Sequence, residues 1–312
     1  MNKRKYIESV LKEIAIRLLK PEEYTAAVML HKSKGVQHID KKGLIWQYHN
    51  SNLPFDGCIV GAFHNETLVA TQAFIPLIGV HKGNEIVTLK SEYTLVDQEY
   101  RGMKLFEKMY DVGTDWAEQK GVACIWGFTN AVKPFTRVGF MIGKPIYTET
   151  VVCKPIDFIR KRKIAEKCLS LPMPAPKSIS LPKEEFGLKK DSEYLKYRYE
   201  ENPFREIVWF DAINSVLYTR STQRPEVVFV SELSDISLLQ ASFKLFVKKF
   251  RGQFVVLQRV TSKPGFKALG VFPNLVKTTE SNVQVVFRWL GGAGGDSIPE
   301  FTSEEGYSEG VS

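Results

Sequence analysis

The apolar positions divide the chain into alternating helix-like and strand-like runs. In residues 1–20, Ile7, Val10, Leu11, Ile14, Ile16 and Leu18 recur at mostly helical spacing between charges, which predicts a helix that Pro21 ends. A second helix is expected over Glu22–Ser33. Cys58–Phe63 and Thr67–Pro76 read as strands joined by a hairpin turn at His64-Asn65-Glu66, and Ile86–Val96 as a longer strand. Lys104–Gln119 carries Leu105, Met109, Val112 and Trp116 on one face, as a helix packed on a sheet does, and Gly121 is placed to end it. Val122–Phe128 is a short apolar strand, parallel to the previous one if the crossover has the usual hand. Ile146–Cys153 is another strand. Later strands are expected at Glu206–Ala212, Ser215–Arg220, Glu226–Ser231, Phe254–Val260 and Val283–Leu290, with a helix over Ile236–Phe250. The alternation predicts an α/β (α+β) fold with mixed central sheets and flanking helices.

The pattern breaks between residues 154 and 190. Arg160-Lys161-Arg162-Lys163 and then prolines at 172, 174, 176 and 182 read as a short helix followed by an extended linker. There is also an internal echo. Leu44-Ile45-Trp46-Gln47-Tyr48, then Pro54-Phe55 and a strand, parallels Leu195-Lys196-Tyr197-Arg198-Tyr199, then Pro203-Phe204 and a strand. This suggests two copies of one fold in tandem. The expected divisions are a first domain over 1–153, a basic, Pro-rich linker over 154–190, a second domain over 191–296 and a flexible tail over 297–312. The run Gly291-Gly292-Ala293-Gly294-Gly295 precedes no amphipathic helix, so it reads as a loop into that tail and not as a phosphate cradle.

Composition narrows the partners. The formal net charge of +8 favours phosphorylated small molecules, nucleic acid or a membrane surface. Most of the excess lies between Val151 and Lys190, with ten Lys/Arg against four Asp/Glu. A nucleic-acid binder would instead interleave basic and aromatic residues over a folded face, so no nucleic-acid partner is expected. The basic run is either a wall for a phosphate-bearing ligand or a solvated helix face. Cys58, Cys124, Cys153 and Cys168 form no CxxC pair and read as buried free thiols of a reducing compartment. Glu8, Lys12, Glu13 and Arg17 interrupt the apolar core that a signal peptide needs, and no apolar run reaches membrane length. A cytoplasmic protein without a membrane partner is expected. All five histidines lie at or before His81 without ligand-like spacing, so no metal is expected.

The chemistry concentrates in Ser91–Phe140. A strand ends at Val96, the turn Arg101-Gly102 follows, a helix begins, and a second strand runs to Asn130. The first N–H groups of a helix lack internal partners and the dipole makes that end positive, so it receives phosphates well. A splayed pair of parallel strands offers unpaired main-chain groups to a linear, amide-bearing ligand. Pantetheine joined to a nucleotide pyrophosphate has that shape.

This stretch resembles the acyl-CoA-dependent N-acetyltransferases of the GNAT superfamily. Their turn motif, Arg/Gln-x-x-Gly-x-Gly/Ala, stands here as Arg101-Gly102-Met103-Lys104-Leu105-Phe106; Val96, Tyr100, Asn130 and the closing Gly139-Phe140 also match. The strong resemblance covers about residues 56–150. It implies tandem GNAT-like domains, the second degenerate. It also implies that Thr94, Leu95 and Val96 pair with pantetheine through their backbone, and that Gly102, Lys104 and Leu105 offer N–H groups to the pyrophosphate beside Arg101. Met103, Phe106, Asn130 and Phe135 complete the implied cofactor site. Lys104 stands where the family usually has Gly; a helix N-terminus does not demand positive φ, so the N–H is retained and the ammonium can meet a phosphate. Phe135 stands where many members have a Tyr that protonates the leaving thiolate, so that proton must come from another donor or from solvent.

Glu92, on the strand leading to Val96, is the candidate base for the attacking amine, with His81 and His49 as alternatives. An ion-pair Glu and ordinary surface histidines are the competing readings. The two-copy layout is similar to tandem-GNAT enzymes that acylate nucleotide-linked amino sugars of surface glycans, such as a dTDP-linked 3-amino-3,6-dideoxyhexose, from acetyl-CoA or a hydroxyacyl-CoA such as 3-hydroxybutyryl-CoA. On that likeness Trp46, Tyr48, Tyr197 and Tyr199 stack on a base or sugar, or serve packing between domains, and Arg198 meets a phosphate. Acylation of another small-molecule or peptide amine, and CoA binding without catalysis, remain alternatives.

Overall fold

A computed structural model describes residues 3–35, 40–153, 186–222, 227–233, 236–249, 255–261 and 276–291. The short helix and most of the linker expected between 154 and 190, including the basic run Arg160-Lys161-Arg162-Lys163, together with Cys168 and the tail, lie outside the described residues. The chain divides into two units: 1–78, 86–143 and 285–298 form the first, and 79–85, 144–284 and 299–312 the second.

In the first unit, helix α1 (Lys3–Glu13) stops earlier than the apolar spacing predicts. Ile14–Leu18 is instead strand β1, paired antiparallel with β2 (Cys58–His64). Ile14, Ile16 and Leu18 are spaced by two, and β2 claims them. Helices α2 (Tyr24–Ser33) and α3 (Lys41–Tyr48) follow, the latter capped by the Asp40 side chain on the Gly43 N–H. Asn65 and Glu66, both at positive φ, make the tight turn into β3 (Thr67–His81), which pairs antiparallel with β2. Lys82 and Gly83, also at positive φ, turn the chain into β4 (Asn84–Val96). Helix α4 (Leu105–Gln119) packs on β1 and β2. It leads to β5 (Cys124–Thr129), which is parallel to β4, as expected for two strands joined by a helical crossover.

The helix α5 (Val132–Arg137) closes on Gly139, at φ +83°, and Phe140 folds back so that its N–H meets the Phe135 carbonyl. Phe74, Phe106, Tyr110, Phe135 and Phe140 meet ring edge to ring face, or tilted, with neighbouring centroids 4.7–5.7 Å apart. Such pairs contribute about 0.5–1.5 kcal/mol each beyond their buried area. The last strand of this sheet comes from far along the chain. Residues 285–289, the end of β12 (Val276–Trp289), lie beside β5, and Leu290 donates its N–H to Ala123. Arg288 donates to the Val138 carbonyl at 2.8 Å, just past α5.

The second unit repeats the plan. β8 (Arg205–Asp211), β9 (Val216–Ser221) and β10 (Val227–Leu233) form an antiparallel meander. A helix (Ile236–Lys249) then leads to β11 (Val255–Thr261), parallel to β10. Its sheet is extended by β6 (Met141–Cys153), whose residues Tyr147–Cys153 pair antiparallel with β11. Each sheet is thus completed by a strand from the other half of the sequence. β7 (Phe186–Leu188), inside the segment expected to be linker, pairs with Gly79–His81. Its Phe186 and Leu188 are buried, which explains the strand: apolar side chains of this size do not stay in an extended solvated linker.

Candidate active site

The site is built on a defect in β4. Its registered pairing with β5 runs from Thr88–Cys124 to Ser91–Gly127 and stops there, while β4 itself continues to Val96. At Gly127 the strands approach so closely that a Cβ would sit 2.8 Å from the Ser91 carbonyl oxygen. Two residues later Tyr93 takes φ +55°, a left-handed conformation that costs a non-glycine residue about 1–2 kcal/mol. The side chains show the result. Ser91 and Thr94 bond to Tyr110 and Gln72 on the α4 side, whereas the intervening Glu92 and Tyr93 both turn to the α2/α3 side. Two consecutive residues on one face are the sign of a β-bulge. The strand therefore swings away from β5, and Thr94, Leu95 and Val96 lie beyond the paired region.

Next to this gap stands the turn. Arg101 is exposed and its Nε donates to the Val96 carbonyl at 3.3 Å. Gly102 has φ +83° and Lys104 φ +58°. The expectation that Lys104 needs no positive φ is therefore corrected: the chain must turn left-handed to enter α4, the conformation a glycine adopts without strain. Met103 uses its N–H for the Tyr100 carbonyl and buries its side chain in the core. Among the described residues the N–H groups of Gly102, Lys104 and Leu105 have no hydrogen-bond partner. Leu105 is buried and Phe106 partly buried against the same core as Phe135. Asn130 is exposed at the end of β5.

Glu92 meets three donors. Lys90 reaches it at 2.7 Å, Gln47 donates to it, and the Tyr48 hydroxyl lies 3.3 Å away. The Lys90 side chain is only 4% exposed and that of Glu92 12%. Burial, with Glu92 adjacent, raises the Tyr93 phenol well above its ordinary pKa.

His49 is not an ordinary surface histidine: its Nε2 meets the Tyr24 hydroxyl at 2.8 Å and its Nδ1 the Asp56 carboxylate at 3.1 Å. His81 belongs to the second unit, at the end of β3 opposite Phe186. Trp46 is partly buried. Tyr48 has no exposed face and Tyr197 and Tyr199 are also buried, so these three present no surface on which a base or sugar can stack; Arg198, expected to meet a phosphate, is buried as well. Sequence reasoning passed over Gln47, Lys90 and Tyr93. Their signal was faint: two polar residues inside otherwise apolar strand and helix patterns, and an aromatic that fits any strand.

The second unit holds a counterpart. Tyr199 donates to Glu232 at 2.5 Å, Tyr194 donates to the same oxygen at 3.0 Å, and Lys190 pairs with the other at 2.6 Å. Tyr48 and Tyr199, at matching places in the sequence echo, each meet a glutamate on the strand before the parallel crossover. The difference is access: Glu232 is fully buried, and the Lys190 side chain is 1% exposed.

No protein-family model and no curated protein matches the chain. Solved structures do. A protein of unknown function from Enterococcus faecalis V583, a probable N-acyltransferase, superposes with a TM-score of 0.56 at 11% identity, over 89% of this chain and 73% of its own. A GCN5-related N-acetyltransferase from Anabaena variabilis gives 0.56 at 9% identity, over 88% and 72%. The N-myristoyltransferase of Saccharomyces cerevisiae, solved with myristoyl-CoA, gives 0.53 at 10% identity, over 91% and 82%. Each match takes in more of the chain than either unit holds. Sheet order, parallel crossover and these matches agree, and the chain shares the fold of the GCN5-related N-acetyltransferases.

Proposed function

We propose that the protein is an acyl-CoA-dependent N-acyltransferase whose site lies in the first unit. The observation that carries this reading is the gap between β4 and β5 beside a turn with free N–H groups. A pantetheine arm would pair with the backbone of Thr94–Val96, and its pyrophosphate would meet Gly102, Lys104, Leu105 and the Arg101 guanidinium. Asn130 stands at the far lip of the gap. Leu105, Phe106, Met103 and Phe135 support the turn from the core side. The N-myristoyltransferase of the same fold was solved with an acyl-CoA, which agrees with this ligand class.

The acceptor amine would approach the face carrying Glu92. Its nitrogen attacks the thioester carbon, the C–N bond forms, the C–S bond breaks, and the amine's proton passes to Glu92. The thiolate takes its proton from solvent or a donor other than Phe135. No cysteine of the chain lies in the motif, so the transfer is direct. For the acceptor we retain a nucleotide-linked amino sugar, and for the donor an acetyl or hydroxyacyl thioester. Trp46 is the one aromatic of the original set, among those described, that is not fully buried.

Thiol release from acetyl-CoA and 3-hydroxybutyryl-CoA, assayed with amino sugars, nucleotide-linked amino sugars, polyamines and peptide N-termini, tests the reading. Release that depends on an amine supports it. CoA binding without turnover on any amine favours a non-catalytic CoA-binding protein, and absence of CoA binding removes the assignment.

A further inference from the structure

The bulge at Tyr93 is held by a set of side chains outside the acyl-CoA turn. His31, on α2, is 4% exposed, and its Nε2 lies 2.8 Å from the Thr71 hydroxyl. Thr71, wholly buried on β3, donates that hydroxyl to the Tyr93 carbonyl at 3.1 Å. The hydroxyl's one proton is thus spent on Tyr93, so His31 is the donor in the first bond and its Nε2 carries a proton. The His31 ring also stacks on the Tyr93 ring, with centroids 3.6 Å apart and planes 9° from parallel. His31 therefore touches the side chain of the strained residue directly and reaches its backbone through Thr71. Gln72, the next residue of β3, grips the same bulge from the opposite face through Ser91 at 3.0 Å and Thr94 at 2.5 Å. Further along, Lys34, just past α2, pairs with Asp97 at 2.8 Å. The stretch Thr94–Val96 is thus fixed at both ends by α2 and its extension.

We propose that His31 and Thr71 are positioning residues for the acyl-CoA site: they hold Tyr93 in its left-handed conformation and so keep β4 apart from β5. This rests on the acyl-CoA reading above. A left-handed Tyr relaxes to extended geometry unless its surroundings over-determine it. With the clamp gone, β4 gains freedom to close toward β5, and the backbone of Thr94–Val96 is no longer presented to a ligand.

CoA binding by calorimetry, with thermal unfolding alongside, tests the clamp in the full chain. Thr71→Val removes the hydroxyl at nearly constant volume; His31→Phe keeps a ring for stacking and removes the donor; Thr71→Ser restores the hydroxyl. Both disruptive variants are expected to bind CoA about tenfold more weakly, and Thr71→Ser to bind like wild type. If Thr71→Val does not fold, His31→Phe decides. Folded variants that melt lower but bind CoA as wild type does overturn the clamp and leave the acyl-CoA reading standing. A wild-type chain that binds no CoA overturns both.

Discussion

Lys104 and Glu92 carry the residue-scale consequences. Lys104 adopts φ +58°, a conformation costing a non-glycine residue about 1–2 kcal/mol, part of which a glycine would offset by its greater unfolded-state freedom. Lys104→Gly is therefore expected to raise the melting temperature, by the equivalent of up to about 1 kcal/mol. A lower melting temperature would show that the ammonium makes a stabilising contact. If the N–H alone serves the pyrophosphate, CoA affinity is retained in this variant. Glu92→Gln is expected to lower kcat by about 10²–10⁴-fold with acyl-CoA KM little changed. It also leaves Lys90 without its anionic partner, so thermal unfolding must be measured beside the kinetics. A pH–rate profile identical to wild type would remove Glu92 from the mechanism. The turn motif was legible because its chemistry is local: a glycine, a basic residue and a helix start within six positions. His31, Thr71 and Gln72 were not, because their partners lie up to 62 positions away and a buried Thr or Gln in a strand carries no mark of what it bonds.

Element-scale behaviour turns on close approach and on pairing. Gly127→Ala places a methyl against the Ser91 carbonyl at the last paired position of β4 and β5. Backbone cannot give way as a flexible side chain can, so a loss of about 1–3 kcal/mol is expected, seen as a lowered denaturant midpoint with an unchanged slope. At the other edge, Arg17 of β1 donates to Glu23 at 2.6 and 2.8 Å. Those bonds hold the Glu23 carboxyl down to about 2 from its usual 4.5. A depressed folded-state pKa contributes stability that is present above pH 4.5 and is lost as pH falls through about 2. The pair is partly exposed, so Glu23→Gln should cost only about 0.5–1 kcal/mol at pH 7, and the difference from wild type should vanish near pH 2 in thermal melts. Most element positions were legible from periodicity. β1 was not: Ile14, Ile16 and Leu18 are compatible with continuing a helical face and with strand alternation, and only β2 decides between them. β7 was missed for a similar reason, since three residues are too few to show a period.

For the whole molecule, the exchange of β6 and β12 has a direct consequence. Residues 1–153 expressed alone lack 285–290, so β5 loses its outer neighbour and Val138 its bond from Arg288. A fragment of 186–312 alone lacks Tyr147–Cys153 and leaves β11 unpaired on that side. Neither fragment is expected to fold cooperatively, while the two co-expressed should recover a sigmoidal thermal transition. Independent folding of residues 1–153, seen as dispersed amide resonances, would contradict this. By itself the sequence determined the α/β character, the strand–turn–helix that offers N–H groups to a phosphate, and the echo between residues 44–55 and 195–204. These follow from local conformational preference and from spacing along the chain. Only the tertiary structure decided which strand completes each sheet, where β4 bulges, and that Glu232 is sealed while Glu92 keeps a little exposure. Strand choice, burial and splay depend on which distant segments compete for the same edge or cover the same carboxylate, and no local pattern records that competition.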